Sequence, residues 1–353
     1  MRVHVFAPVA GGPLTQYVAY LLPALLQLVD EARLESVAVT LSRPHYESAF
    51  FAEYLEPFAS RVTFDVIDLP FGNRFAAAIA MSQALLSAVA RFRSDYGCRR
   101  GTHRLLPYPV ERPRALDRQA ARAALGIPQD GRYLAFVGST DGRKAIPELL
   151  AAFRAAGLAA NDRLLIAGSL YEPHRALVRS AFADLLASGR IVSIDRHLSS
   201  EEVGLAFSAA DMVAVTYYPM DDLSANLLSA IAAGRPVLAN AHGYSKRMIA
   251  EFELGWSCDI RDPAAFAETI RHAMAGSATF AISEKTRRLI EFHRPENYTE
   301  TVLSRLKRRL GIEPADVRSW EWVSSTLTEG SDRSAGTDTT GHIAKTLPSS
   351  RWP

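Results

Sequence analysis

Arg143 and Lys144 stand side by side in the run Val137–Lys144 (VGSTDGRK), where a strand-like apolar stretch ends at Gly138 and Ser139 and a helical pattern follows. Two cations just ahead of a helix suit a phosphate or pyrophosphate. The helix N-terminus favours an anion by ~0.3–1 kcal/mol, and the side chains add charge-assisted hydrogen bonds. The same residues read also as a solvated basic turn. A second run, 217–234 (YYPMDDLSANLLSAIAAG), puts Asp221 and Asp222 in a loop and then opens a helix of small residues at Ser224 and Ala225. The Ser224 hydroxyl and the first backbone N–H groups would face a bound group; Ser224 as a plain N-cap is the alternative. Gly11-Gly12, after the first strand, is ordinary turn chemistry when taken alone.

Other chemistries lack their residues. The chain has no GxxxxGK[ST], no GxGxxG after its first strand, no HExxH and no GxSxG. None of its nine histidines pairs with another at metal-ligand spacing. Cys98 and Cys258 cannot build a disulfide framework, and two thiols fit a reducing compartment. Lys+Arg 40 against Asp+Glu 38 gives a net charge of +2, which offers no bulk reason to expect nucleic acid as a partner. The apolar stretches Tyr17–Val29 and Phe75–Met81 fall short of the ~18 residues a membrane span needs, and Gly11-Gly12-Pro13 interrupts the apolar start before a leader could form. The expectation is a cytoplasmic chain, in which the sequon at Asn297 carries no sugar.

The elements that must hold these loops are readable from hydrophobic period. In the first part, strands are expected near 2–8, 36–42 and 61–68. Helices are expected after Gly12 (kinked or interrupted at Pro23), over 46–58, and over 74–93, a segment apolar on most of its girth. A short strand is expected at 104–110. From Tyr133 onward strand and helix alternate six times, and Ser199 with Glu202 forms a capping box ahead of one helix. Such alternation predicts an α/β fold with a parallel sheet covered on both faces. The tail is Ser-, Thr- and Gly-rich and carries three of the four tryptophans.

Four segments resemble a known family in order and spacing: Arg143–Phe153 (RKAIPELLAAF), Leu164–Gly168 (LLIAG), Leu198–Asp211 (LSSEEVGLAFSAAD) and Leu227–Ala239 (LLSAIAAGRPVLA). Over about residues 130–275 they look like the donor half of a GT-B glycosyltransferase, more narrowly the group 1 retaining (family-4-like) enzymes. The resemblance implies two Rossmann-like parallel-sheet domains. The domains would be a reduced acceptor-side domain at 1–112, a linker at 113–130, a nucleotide-sugar donor domain at 131–291, a helix at 292–312 crossing back, and a disordered tail at 313–353.

It also implies roles. Arg143 and Lys144 would hold the donor diphosphate, with Ser224, Ala225, Gly11 and Gly12 near the phosphates. Gly138, Ser139, His197, Asp221, Asp222 and Leu228 would lie near the nucleotide or sugar. No metal or resident cofactor is implied; the nucleotide-diphosphate sugar is a co-substrate. The acceptor would be a carbohydrate or a lipid-linked glycan in bacterial polysaccharide or glycolipid assembly, the lipid case bringing peripheral association with the inner face of the membrane. Three departures stand out. The family's two glutamates, eight positions apart, read Asp221 and Ser229. Its Lys-Gly reads Lys144-Ala145. Its first domain is longer by several strands, and neither His45 nor His103 sits where its active-site histidine would, so no catalytic residue is assigned. A catalytically impaired nucleotide-binding remnant and a GT-B nucleotide-sugar epimerase are the competing readings.

Overall fold

The computed structural model describes residues 1–7, 12–67, 106–111, 117–218 and 224–324, with only the backbone described at 12–14, 244 and 324. The expected helix over 74–93, Gly11, Asp221 and Asp222 lie outside the described residues, as does the tail from 325.

Two parallel sheets carry the chain. The first has three strands in the order β1 (Arg2–Phe6), β2 (Ser36–Ser42), β3 (Thr63–Ile67). The second has six in the order β6-β5-β4-β7-β8-β9. They are β4 (Tyr133–Val137), β5 (Arg163–Ala167), β6 (Ile191–Ile194), β7 (Met212–Val215), β8 (Val237–Asn240) and β9 (Gly255–Cys258). The chain thus winds outward from β4 in one direction, then returns to β7 and winds outward in the other. The seam between β4 and β7 is a topological switch point, where loops leaving adjacent carboxyl ends diverge and open a crevice.

Every residue of β4 is buried, as expected of a strand covered on both faces. Tyr133, Ala135 and Val137 face a core with Phe207, Leu227, Ile231 and Phe252. Leu134 and Phe136 face the opposite core with Leu149, Leu150, Phe153 and Phe266.

In the first sheet, α1 (Gly12–Asp30) lays Leu22 and Leu25 on Val37 and Val39. It runs through Pro23 without being interrupted. Pro23 is on the solvent face, so the carbonyl it leaves unbonded can bond water, while buried leucines on the other face hold the helix. The expected helix over 46–58 is broken instead into α2 (Arg43–Tyr46), α3 (Ala49–Tyr54) and a short 3-10 turn. Ser48 accepts from the Phe51 N–H and starts α3 afresh. Residues 106–110 are not a strand; Pro107 and Pro109 remove ladder donors.

A second set of helices packs around the larger sheet: α4 (Arg118–Ala124), α5 (Ile146–Ala155), α6 (Glu172–Arg179), α7 (Ala183–Ala187), α8 (Ser200–Ala209), α9 (Ala225–Ala232), α10 (Gly243–Phe252), α11 (Pro263–Gly276) and α12 (Glu284–Phe292). Residues 172–187, which hydrophobic period reads as one helix, form two, α6 and α7. The Ser199–Glu202 capping box opens α8 as read from the sequence.

Then α13 (Pro295–Arg309) returns to the first sheet, burying Leu303 in its core and bonding the Thr299 hydroxyl to the Tyr20 carbonyl at 3.1 Å. The expectation of disorder from 313 fails for its first residues. The helix α14 (Trp320–Ser324) docks Trp320 edge-on to Phe252 and Phe292, and Asn297 bonds the Arg318 backbone in both directions. Docking apolar rings outweighs the polar composition around them.

His293, at the end of α12, is buried, and its Nδ1 meets the Tyr108 backbone at 3.0 Å. Burial pulls its pKa down to about 4. An unfolded histidine titrates near 6.5. Stability is therefore intact above pH 6.5 and falls as pH drops towards 4, because the unfolded chain takes up a proton that the folded one resists. Between pH 7 and 4.5 the loss should be about 2–3 kcal/mol in denaturant unfolding. His293→Gln should flatten that slope; an unchanged slope would remove His293 as its cause.

Candidate functional site

The site is built at the switch point. Where β4 ends, Gly138 takes a positive φ of 106°, and where β5 ends, Gly168 takes 137°. A Cβ on Gly168 would lie 2.4 Å from the Gly138 carbonyl oxygen, so only glycine lets the two loops approach this closely. The loop after Gly138 is stitched to the extension of β7. The Ala145 N–H donates to the Thr216 carbonyl and the Tyr218 N–H to the Arg143 carbonyl, both at 2.9 Å. Lys144 is thereby set opposite Tyr217.

The Lys144 ammonium lies over the Tyr217 ring, 3.3 Å from its centroid. Burial pulls the Lys144 pKa down to about 8, with Asp141 opposing the shift. The Tyr217 phenol is enclosed and burial pushes it up to about 12. It accepts a hydrogen bond of 2.9 Å from the Asn226 side-chain N–H, and the same amide group donates to the Val137 carbonyl at 2.6 Å. One polar line thus runs from Lys144 through the face and hydroxyl of Tyr217 to the first turn of α9 and the end of β4. Ser224 precedes α9 without capping it by its side chain; its hydroxyl lies against the Tyr217 phenol. Among the described residues no side chain caps the amino end of α9, and a helix amino end favours an anion.

A cleft of about 570 Å³ opens beside this line. Gly138, Ser139, His197, Ala225, Asn226 and Ser229 form part of one wall. Facing them are Tyr20, Phe50, Glu53, Tyr54, Tyr108 and Glu111. The walls touch at α8, where Glu53 Oε1 accepts from the Ser200 N–H at 2.9 Å and from the Ser200 hydroxyl at 2.7 Å. The Tyr54 hydroxyl also contacts Ser200, and Phe50 packs edge-on to His197. Among the described residues no three His, Cys, Asp or Glu side chains are grouped as metal donors.

Of the residues singled out from sequence, Gly138, Ser139, His197 and Ala225 come together on the cleft. Lys144 lies one ring behind it. Arg143 stands on an exposed loop and pairs with Asp141 at 2.6 Å. Leu228 is 2% exposed and belongs to the core beneath α9 rather than to the cleft wall. Gly12 opens α1. His45 is buried and structural: its Nδ1–H donates to the Ala7 carbonyl at 2.9 Å, so its Nε2 accepts from Thr15 at 2.8 Å. Sequence reading missed Asn226 and Tyr217, although both fall inside the run quoted for its loop. It also missed Glu53 and the facing tyrosines, whose role depends on a contact about 147 positions distant and leaves no local pattern.

Comparisons with known proteins agree with one another on the fold. A family model described as glycosyl transferases group 1 matches residues 117–295. D-inositol 3-phosphate glycosyltransferases of Mycobacterium tuberculosis and Mycobacterium bovis are 31% identical over 227 residues, 62% of this chain. The chain spans 46% of the length of these relatives. Among solved structures, a Rickettsia africae glycosyltransferase aligns with a TM-score of 0.56 at 11% identity, over 88% of this chain and 98% of that one. WaaG, a glycosyltransferase involved in lipopolysaccharide biosynthesis, aligns at 0.52 and 16%, over 90% and 100%. Anabaena HepE in complex with UDP aligns at 0.52 and 13%, over 87% and 100%.

Proposed function

Because this chain belongs to the group 1 family of glycosyl transferases, we propose that it moves a hexosyl group, with retention, from a nucleoside-diphosphate sugar to a carbohydrate or lipid-linked acceptor. The observation that carries the reading is the first turn of α9 on the cleft wall, tied through Asn226 and the Tyr217 ring to the Lys144 ammonium. The donor diphosphate lies along Gly138, Ser139 and the first amides of α9. Its charge draws Lys144 off Tyr217, and an ion-paired, charge-assisted bond replaces a cation–π contact of ~0.5–2 kcal/mol. As the sugar–phosphate bond breaks, the charge growing on the diphosphate meets the helix dipole, aimed there beforehand, and the ammonium that the bound diphosphate has drawn over. HepE binds UDP and WaaG acts in lipopolysaccharide biosynthesis. UDP-sugars are therefore the first donors to test, and the assembly of a surface polysaccharide or glycolipid is the setting.

Purified protein is incubated with UDP-, GDP- and ADP-sugars and glycan acceptors. Release of nucleoside diphosphate and the anomeric configuration of the product are read by NMR. One donor should be consumed, with retention. A second reading, nucleotide binding without transfer, is favoured by Ser229, a hydroxyl on the cleft wall where the resemblance leads one to expect a carboxylate. Binding without release would select it, and an inverted product would overturn the first.

A further inference from the structure

The two walls of the cleft differ in chemistry. On one side are strand ends, the first turn of α9 and the Glu201 carboxylate at the start of α8, with Lys144 resting on Tyr217 outside the lining. On the other are three tyrosine rings and two carboxylates, from Tyr20, Tyr54, Tyr108, Glu53 and Glu111. These rings are held in place. Burial, with the Glu111 carboxylate nearby, pushes the Tyr20 phenol up, and its backbone carbonyl is tied to Thr299. Tyr54 accepts from Gln16 at 2.8 Å, and Tyr108 packs edge-on to Tyr17 at 5.2 Å between centroids. Glu53 is committed to Ser200, whereas Glu111 is exposed at the cleft.

We infer that this second wall receives an uncharged, hydroxyl-rich sugar or polyol as acceptor and rejects a phosphorylated one; the inference rests on the glycosyl-transfer reading above. Ring faces cover the C–H face of a sugar, and a carboxylate accepts from its hydroxyls. Rings already fixed lose little freedom on binding. A phosphate monoester carries a charge of about −1.5 to −2. On this wall it would meet Glu111 and Glu53 at short range, a like-charge contact that works as discrimination. The diphosphate of the donor avoids that repulsion by lying on the opposite wall. The acceptor class therefore differs from the one in the name of the mycobacterial relatives, and transferring that name to this chain would mislead.

The test uses two matched pairs with the full chain: myo-inositol against myo-inositol 1-phosphate, and glucose against glucose 6-phosphate. Binding is followed by ligand-observed NMR with nucleoside diphosphate present. Turnover is followed as acceptor-dependent release of nucleoside diphosphate. At least one neutral member should bind and act at least tenfold better than its phosphorylated partner. Glu111→Gln should narrow that ratio and Glu111→Lys should invert it, both with unchanged circular dichroism, since Glu111 is exposed. Equal or better use of the phosphorylated members by the wild type overturns the inference. So does diphosphate binding with no binding of either neutral member. Failure of the underlying reading shows separately, as no binding of UDP, GDP or ADP before any acceptor is added.

Discussion

Replacing Lys144 with alanine should lower kcat/KM for the sugar donor about a hundredfold, ~3 kcal/mol of transition-state charge stabilisation. The loss should appear in kcat as well as in donor affinity, because the charge on the diphosphate grows as the bond to the sugar breaks. Burial sets the sign of the pH dependence. With its pKa pulled down to about 8, Lys144 is an ammonium below that pH and an amine above it. The kcat/KM profile, which reports free-enzyme groups, should therefore fall as pH rises through about 8. Lys144→Arg should retain charge and lose that alkaline limb. The fold should survive both changes, since what Tyr217 loses is a single cation–π contact of ~0.5–2 kcal/mol. An alkaline limb that persists unchanged in Lys144→Arg would assign it to another group.

Asp211→Ala should destabilise the chain by about 3–5 kcal/mol. Asp211 accepts from Arg122 at 2.8 Å, from Arg118 at 2.5 Å and from the Tyr133 N–H at 2.8 Å, the last at the first residue of β4. Arg122 is 4% exposed and also donates to the carbonyls of Ala209, Gln129 and Gly131. Removing the carboxylate leaves a buried guanidinium without its counter-charge. Arg235, close enough to both arginines for its pKa to drop to about 10, chiefly through burial, would add to the repulsion. Arg118 is a control, because its side chain is 42% exposed. Arg118→Ala should change stability by no more than about 1 kcal/mol. Urea unfolding of both variants checks this, and equal losses would refute the distinction drawn from burial. The network joins α4 and α8 to the start of β4, so Asp211→Ala should weaken donor binding only as far as it unfolds the protein.

The larger sheet was legible because its inner strands are buried on both faces and read as unbroken apolar runs such as Leu164–Ala167, with helices of matching period between them. The capping box at Ser199 was legible because its two partners are three residues apart. The loops after β4 and β7 were legible as candidate anion sites, since parallel topology puts every strand's carboxyl end on one edge. What sequence could not supply was side-chain direction. Lys144 and Ala225 are both in the right loops, but the choice of Lys144 to rest on Tyr217 depends on an isolated bridge between positions 144 and 217. Leu228 shows the same limit from the other side: one residue's rotation on α9 separates the core from the cleft. Glu53 and Tyr54 escaped because their partner, Ser200, belongs to the other sheet's helices. The docked tryptophan at 320 escaped because composition over a window hides a single anchoring ring.

A calorimetric titration with UDP, GDP and ADP, run on the wild type and on Lys144→Ala at pH 7, addresses the diphosphate site without requiring an acceptor. At least one diphosphate should bind the wild type, and its affinity should fall at least tenfold in the variant. A protein that binds none of the three, or binds one equally well without the ammonium, would contradict the account.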